Sequence, residues 1–218
     1  MKPKKRLGQN FLNDSSLLSK IVDVGKITKN DSILEIGPGT GNLTNEIIKR
    51  SPRDIIVVEK DNDLSEILKK KFGNKITVIN DDILNCYNKF SINRPMKVFG
   101  NLPYNISTKI LTSFIKIEKL DKRFKQFIFL FQKEVADRII ADENTKNYGR
   151  LSILTSWKMN RKKILDINPN YFYPKPKIWS SLISLNPKIK FEKLKKIKNL
   201  EHVTNIFFNQ KRKMIKKP

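Results

Sequence analysis

Residues 32–50 read SILEIGPGTGNLTNEIIKR. The first five suit a short buried strand, glycines stand at 37, 39 and 41, and the residues from Asn42 to Arg50 suit a helix. A short apolar strand that passes through glycines into a helix opens a parallel α/β sheet. The alternation continues on the carboxyl side with DIIVVE (54–59), a helix over Asn62–Phe72, ITVIN (76–80), MKVFG (96–100) and a helix over Ile106–Lys116. KQFIFLFQ (125–132) then runs into helical KEVADRIIA, and GRLSILTSWKM (149–159) suits either helix or strand. KILDI (163–167) and SSLISL (180–185), separated by the proline-punctuated NPNYFYPKPKIW, complete seven strands. On the amino side, a helix over Ser15–Val24 capped by Asn13 or Asp14 follows a basic arm, MKPKKRLGQNFL. The whole pattern predicts an α/β fold whose sheet is covered on both faces.

The glycine turn lets a ligand approach the backbone closely at Gly37 and Gly39. Glycines there also serve plain strand–helix packing, so the turn alone is a weak signal. Glu59 adds to it, because it ends the second strand 18 residues after Gly41, where a carboxylate accepts both hydroxyls of a ribose. A dinucleotide would need the spacing G-x-G-x-x-G and a welcome for its pyrophosphate. This turn reads G-x-G-x-G and follows Glu35. S-adenosylmethionine has no phosphate and carries a sulfonium and an ammonium, which neighbouring acids favour, and it is the expected cofactor. Asp81 and Asp82 end the third strand; Asp82 is assigned to the cofactor, as an acceptor for the adenine amine, and Asp81 to the cap of the next helix.

At the end of the fourth strand stands Asn101-Leu102-Pro103-Tyr104, facing the same crevice. The exocyclic amine of a base is a poor nucleophile because its lone pair is delocalised into the ring. The Asn101 side-chain oxygen and the Leu102 carbonyl can hold its hydrogens and bias the nitrogen toward a pyramidal geometry. Pro103 fixes the chain direction without a competing donor, and Tyr104 offers a face for stacking. A tight turn is the plainer reading of the same four residues. Phe172 is a candidate for the other face of the base, against the alternative of an ordinary buried phenylalanine.

Composition narrows the chemistry further. The 218 residues bury one sizeable core, and the chain has no apolar run of about 20 residues to cross a bilayer and no signal-peptide pattern, so a cytoplasmic location is expected. One cysteine, Cys86, and one histidine, His202, exclude disulfide frameworks and the His/Cys zinc site of the nucleobase deaminases. No metal is expected. The net charge of +24 rests on 36 Lys and 9 Arg, and 11 basic residues face only 2 acidic ones between Lys188 and Lys217. A compositional bias toward Lys and Asn contributes, but an excess of this size points to nucleic acid.

In combination, KKRLGQNFL, EIGPGTGNLT, VVEKD, NLPYNIST, FQKEVADRI, YGRLS, FYPKPK and FFNQKRKMI resemble the ribosomal RNA adenine N6,N6-dimethyltransferases, along nearly the whole chain. These enzymes dimethylate two adjacent adenines in the 3′-terminal stem-loop of small-subunit (16S) rRNA and are tied to maturation of that subunit. The resemblance implies a seven-stranded Rossmann-like methyltransferase fold, with a basic arm (1–13), the methyltransferase domain (14–187) and the start of a helical RNA-binding domain (188–218). It implies that Asn10, Leu12, Gly37, Glu59, Asp82 and Asn101 surround S-adenosylmethionine, that Asn101, Leu102, Pro103, Tyr104 and Phe172 surround the target base, and that Gln9 and Phe11 belong to an arm closing over the cofactor. In the family, several dozen residues follow the stretch resembling FFNQKRKMI, whereas this sequence ends at Pro218, so a shortened helical domain and weaker RNA grip are expected. The expected partner is small-subunit rRNA within an immature subunit, and nothing demands more than a monomer. The alternatives are a non-catalytic small-subunit assembly or RNA-binding factor, a large-subunit rRNA adenine methyltransferase, and, on the glycine turn alone, a nicotinamide-dependent oxidoreductase.

Overall fold

A computed structural model describes residues 3, 4, 8–88, 90 and 94–209. In chain order the elements are β1 (Phe11–Leu12), α1 (Ser15–Val24), β2 (Ser32–Ile36), α2 (Asn42–Ile48), β3 (Asp54–Glu59), α3 (Asn62–Phe72), β4 (Thr77–Asn80) and α4 (Ile83–Cys86). There follow β5 (Met96–Asn101), α5 (Ser107–Ile115), α6 (Leu120–Arg123), β6 (Phe124–Gln132), α7 (Lys133–Ile140), α8 (Arg150–Lys158), β7 (Met159–Ile167), β8 (Phe172–Tyr173), β9 (Ser180–Pro187) and α9 (Ile197–Asn209). None of the described helices is long and apolar enough to cross a membrane.

Seven strands form one sheet in the order β4-β3-β2-β5-β6-β9-β7. The strand order reverses between β2 and β5, which opens a crevice at their carboxyl ends. The sheet departs from an all-parallel arrangement next to one edge, where β9, between β6 and the edge strand β7, runs antiparallel to both. The ambiguous stretch 149–159 resolves into both states: α8 ends at Lys158 and β7 begins at Met159. Its residues pack on the core through α8 and then pair with β9, so tertiary pairing decides what local propensity left open. A second, two-stranded sheet pairs β1 with β8, with Phe11 opposite Tyr173 and Leu12 opposite Phe172.

Both faces of the main sheet are buried, and successive residues of each central strand serve opposite layers. Phe127, Phe129 and Phe131 of β6 pack with Val98, Phe114 and Leu185 on one face. Ile128 and Leu130 pack with Phe99, Ile21, Val57 and Leu182 on the other. Each such side chain contributes roughly 1.5–3 kcal/mol on burial. That rigid pair of layers fixes the strand ends from which the site is built.

Candidate active site

The turn after β2 holds Gly37, Gly39 and Gly41 at φ +65°, +58° and +79°, each in the left-handed region that favours glycine. Their surroundings differ. A Cβ on Gly37 would meet no heavy atom within 4 Å, whereas one on Gly39 would strike the Phe11 ring at 2.7 Å and one on Gly41 would strike Phe72 at 2.6 Å. Gly37 therefore leaves room for a ligand, Gly39 admits the arm, and Gly41 admits α3.

Glu59 closes β3 with 6% of its surface exposed. Its Oε2 accepts the Gly39 amide at 3.1 Å and its Oε1 accepts the Asp61 amide at 2.8 Å, leaving lone pairs on both oxygens for a ligand. Burial pushes its carboxyl above the ordinary value despite these bonds. Glu35, on β2, is 1% exposed, and its Oε2 has no hydrogen-bond partner. Burial, with the Glu59 charge beside it, pushes Glu35 up to about 8.

The expected division of labour between Asp81 and Asp82 is corrected by the structure. Asp82 caps α4, its Oδ1 accepting the Leu84 amide at 2.9 Å, while its Oδ2 pairs with Lys60 at 2.9 Å. Asp81 instead accepts the Asp82 amide and the Asn85 side chain. The residue that begins the helix in extended geometry is the one able to cap it, and that is Asp82. Both aspartates line the same cavity, so capping does not remove Asp82 from it. Burial works against the Asp82 charge, but Lys60 and the Leu84 amide outweigh it and hold its carboxyl below the ordinary value.

At the end of β5, Asn101 Nδ2 donates to the Asn10 carbonyl at 2.6 Å. Leu102 is buried against Gly100 and contributes to the core. Pro103 accepts the Ile106 amide through its carbonyl, and the Tyr104 hydroxyl lies 2.5 Å from Ser180 Oγ at the start of β9. Burial raises the Tyr104 phenol, with the Ser180 contact opposing it.

These residues converge. One cavity is walled by Asn10, Leu12, Gly37, Gly39 and Glu59, and closed by Asp82, Asn101, Leu102 and Pro103. Tyr104 lines a second, neighbouring cavity with Gly8, Asn10, Asn105 and Gln132. Phe172 lines neither: it is 4% exposed and packs behind Leu12 in the two-stranded sheet, while Tyr171 and Tyr173 on either side are exposed. The arm that carries Lys4 and Gln9 was expected from the sequence, but the contacts that seat it were not. Lys4 and Gln9 anchor the arm on Asp61 at 2.8 and 3.2 Å, and Asn42 holds the Leu12 carbonyl at 2.9 Å. Such contacts link distant stretches, and nothing local marks them.

The cavity wall carries Glu35, Glu59, Asp81 and Asp82, and its one cation among the described residues, Lys60, is paired with Asp82. A phosphate would find no free positive partner here. A cationic nucleoside finds open space over Gly37, an unpartnered buried acceptor at Glu35 and a strand-end carboxylate at Glu59, so the residues fit S-adenosylmethionine. Among the described residues no cluster of metal-binding side chains occurs.

A sheet reversing between β2 and β5, an antiparallel strand beyond β6 and this acid-lined crevice define the class of S-adenosylmethionine-dependent methyltransferases. The chain is 56% identical over 218 residues to the ribosomal RNA small subunit methyltransferase A of Pelagibacter ubique, covering 100% of this chain and 83% of that protein. It is 41% identical over 220 residues to the protein of the same name from Wolbachia sp. subsp. Drosophila simulans, covering 99% of this chain and 79% of the relative. Among solved structures, a dimethyladenosine transferase from Plasmodium falciparum superposes with a TM-score of 0.79 at 29% identity, over 94% of this chain and 73% of that one. The 23S rRNA methyltransferase ErmE shares the fold, with a TM-score of 0.73 at 23% identity over 92% of this chain and 79% of its own. The model of the ribosomal RNA adenine dimethylase family matches residues 1–218, and the chain belongs to that family. This membership sets aside the dinucleotide reading of the glycine turn.

Proposed function

We propose that this chain dimethylates N6 of two adjacent adenines in the 3′-terminal stem-loop of small-subunit (16S) rRNA, using S-adenosylmethionine. The observation that carries the reading is the Asn101 amide. Its Nδ2 is committed to the Asn10 carbonyl at 2.6 Å, so Oδ1 is the atom left to accept, beside the Leu102 carbonyl at the same strand end. Two acceptors placed together hold the two hydrogens of an exocyclic amine and turn its lone pair out of the ring plane. Glu59, Asp82, Gly37, Asn10 and Leu12 would hold the cofactor. When bound, S-adenosylmethionine supplies a methyl group on a sulfonium. The amine needs no general base beforehand, since its proton leaves after the methyl arrives. After one transfer a single hydrogen remains for two acceptors, so Asn101 and Leu102 hold the monomethyl amine rotated for the second.

The names of the relatives at 56% and 41% identity support the small-subunit over the large-subunit substrate. The substrate-bearing partner is the immature small subunit, the chain acts as a monomer, and the location is cytoplasmic. The RNA-binding unit proposed for residues 188–218 includes α9, and its residues 210–218 lie outside the described residues. The net charge of +24 also favours a second role as a small-subunit assembly factor, compatible with the first.

The test incubates the chain with S-adenosylmethionine and small subunits lacking the modification, then digests the rRNA and assays N6,N6-dimethyladenosine by mass spectrometry. Asn101→Ala should lose the dimethyl product, by 100-fold or more on the order of a lost preorganised acceptor, while still binding cofactor. Undiminished product from that variant would remove Asn101 from the reaction. Binding without any product from the unaltered chain would leave the assembly role standing alone.

A further inference from the structure

Gln132 is the last residue of β6 and stands at the amino end of α7. That position favours Ser, Thr, Asp or Asn, whose short side chains cap the helix. Gln132 makes no side-chain cap, and its amide has no hydrogen-bond partner among the described residues. Its backbone is nonetheless firmly held: it pairs with Ser180 across the β6–β9 ladder, and the next amide, Lys133 N, donates to the Trp179 carbonyl at 2.9 Å. The half-buried side chain lines the second cavity together with Tyr104, whose hydroxyl lies 2.5 Å from Ser180 Oγ. A rigid strand end thus presents an unspent amide in the cavity lined by Tyr104, the ring proposed to stack on the target base. A poor local choice with no structural return is the mark of a residue kept for a ligand.

We infer that Gln132 is a specificity-determining residue, donating an Nε2 hydrogen to a ring nitrogen of the target adenine. The inference rests on the base-site reading of Tyr104 above. The adenine amine is flanked by two ring acceptors, N1 and N7, and a glutamine amide matches the donor–acceptor pattern that such an edge presents. With N6 held by Asn101 and Leu102, a donor from the β6 side fixes the ring against rotation about the C6–N6 axis. Of the other two amides of this cavity, Asn10 turns its Nδ2 to the Gly8 carbonyl at 3.4 Å, and Asn105 is exposed in the turn before α5, a less rigid mount.

The experiment measures kcat/KM for unmodified small subunits carrying adenosine, 1-deazaadenosine or 7-deazaadenosine at the target position, with the wild-type chain, Gln132→Met and Gln132→Glu. Cofactor affinity and thermal midpoint are measured alongside. Wild type should lose about tenfold or more on one deaza substrate, the scale of an abolished buried hydrogen bond. Gln132→Met should show that loss on adenosine already and be insensitive to the same deaza change. Gln132→Glu should be at least as impaired, since a carboxylate meets an acceptor with another acceptor. A carboxylate at a helix amino end is favourable, so Gln132→Glu should keep its thermal midpoint, which separates reading the base from holding the fold. Wild-type kcat/KM in Gln132→Met, or equal deaza sensitivity in both proteins, would overturn the assignment alone. No transfer by the wild-type chain with cofactor bound would overturn the reading of the reaction and this assignment with it.

Discussion

Glu35 and Glu59 share the floor of one cavity yet are held differently. Glu59 accepts two backbone amides, whereas Glu35 Oε2 is buried without a partner, and burial pushes its carboxyl from an ordinary 4.5 up to about 8. Between those values the folded chain keeps a proton that the unfolded chain has lost. The unfolded state therefore binds fewer protons, and stability falls as pH rises through the window. The slope from one such group reaches at most about 1.4 kcal/mol per pH unit. Glu35→Gln keeps a neutral side chain of the same shape and should flatten the fall. Urea midpoints at several values between about pH 5 and pH 8 read it directly. Parallel curves for the two proteins would place the buried proton elsewhere. The same residue was legible in the sequence only as an acid unsuited to phosphate; its burial and missing partner depend on how α2 and β3 close over it.

Elements decide how far the sequence could be read. The glycine turn, the strand-end position of Glu59 and the turn at Asn101–Tyr104 are local, each set by residues within a few positions, and all were legible. The Asn101–Asn10 and Tyr104–Ser180 bonds span 91 and 76 residues, and no local pattern encodes them. The arm shows the same division. Its basic residues are plain in the sequence, but its seating depends on β1 pairing with β8, on Phe11 lying over Gly39, and on Lys4 and Gln9 reaching Asp61. Gly39→Ala tests that seating. The new Cβ would stand 2.7 Å from the Phe11 ring at a φ of +58°, so the arm must shift or the turn must strain, at about 1–3 kcal/mol. Cofactor affinity measured by calorimetry should fall about tenfold, a loss of 1.4 kcal/mol. Gly39→Ala combined with Phe11→Ala should recover part of it, because the clash is relieved. If the double variant is weaker by the full sum of the single losses, arm and turn act independently.

At the scale of the molecule, charge is sorted by depth. The cavity at the sheet's switch point holds acids, two of them nearly inaccessible, while the chain as a whole carries +24. These two populations answer salt in different ways. Lysines facing phosphates gain affinity by releasing counterions, so log affinity for RNA falls by about 0.7–0.9 per phosphate contacted for each decade of salt. Buried charges are screened far less, and the cofactor cavity should hardly respond. Titrating labelled 3′-terminal stem-loop RNA and S-adenosylmethionine separately, between about 50 and 200 mM salt, should give a steep line for the first and a flat one for the second. The contrast matters more than either slope. A flat RNA line would mean that the lysine excess serves solubility and that stacking carries the affinity. A steep cofactor line would mean that the acids of the cavity are open to solvent, against the burial of Glu35 and Glu59. With steep and flat as expected, rising salt should lower methyl transfer through KM for RNA while kcat stays level, because Asn101 and Leu102, proposed to hold the amine, stand at the end of β5 on the wall of the acid-lined cavity.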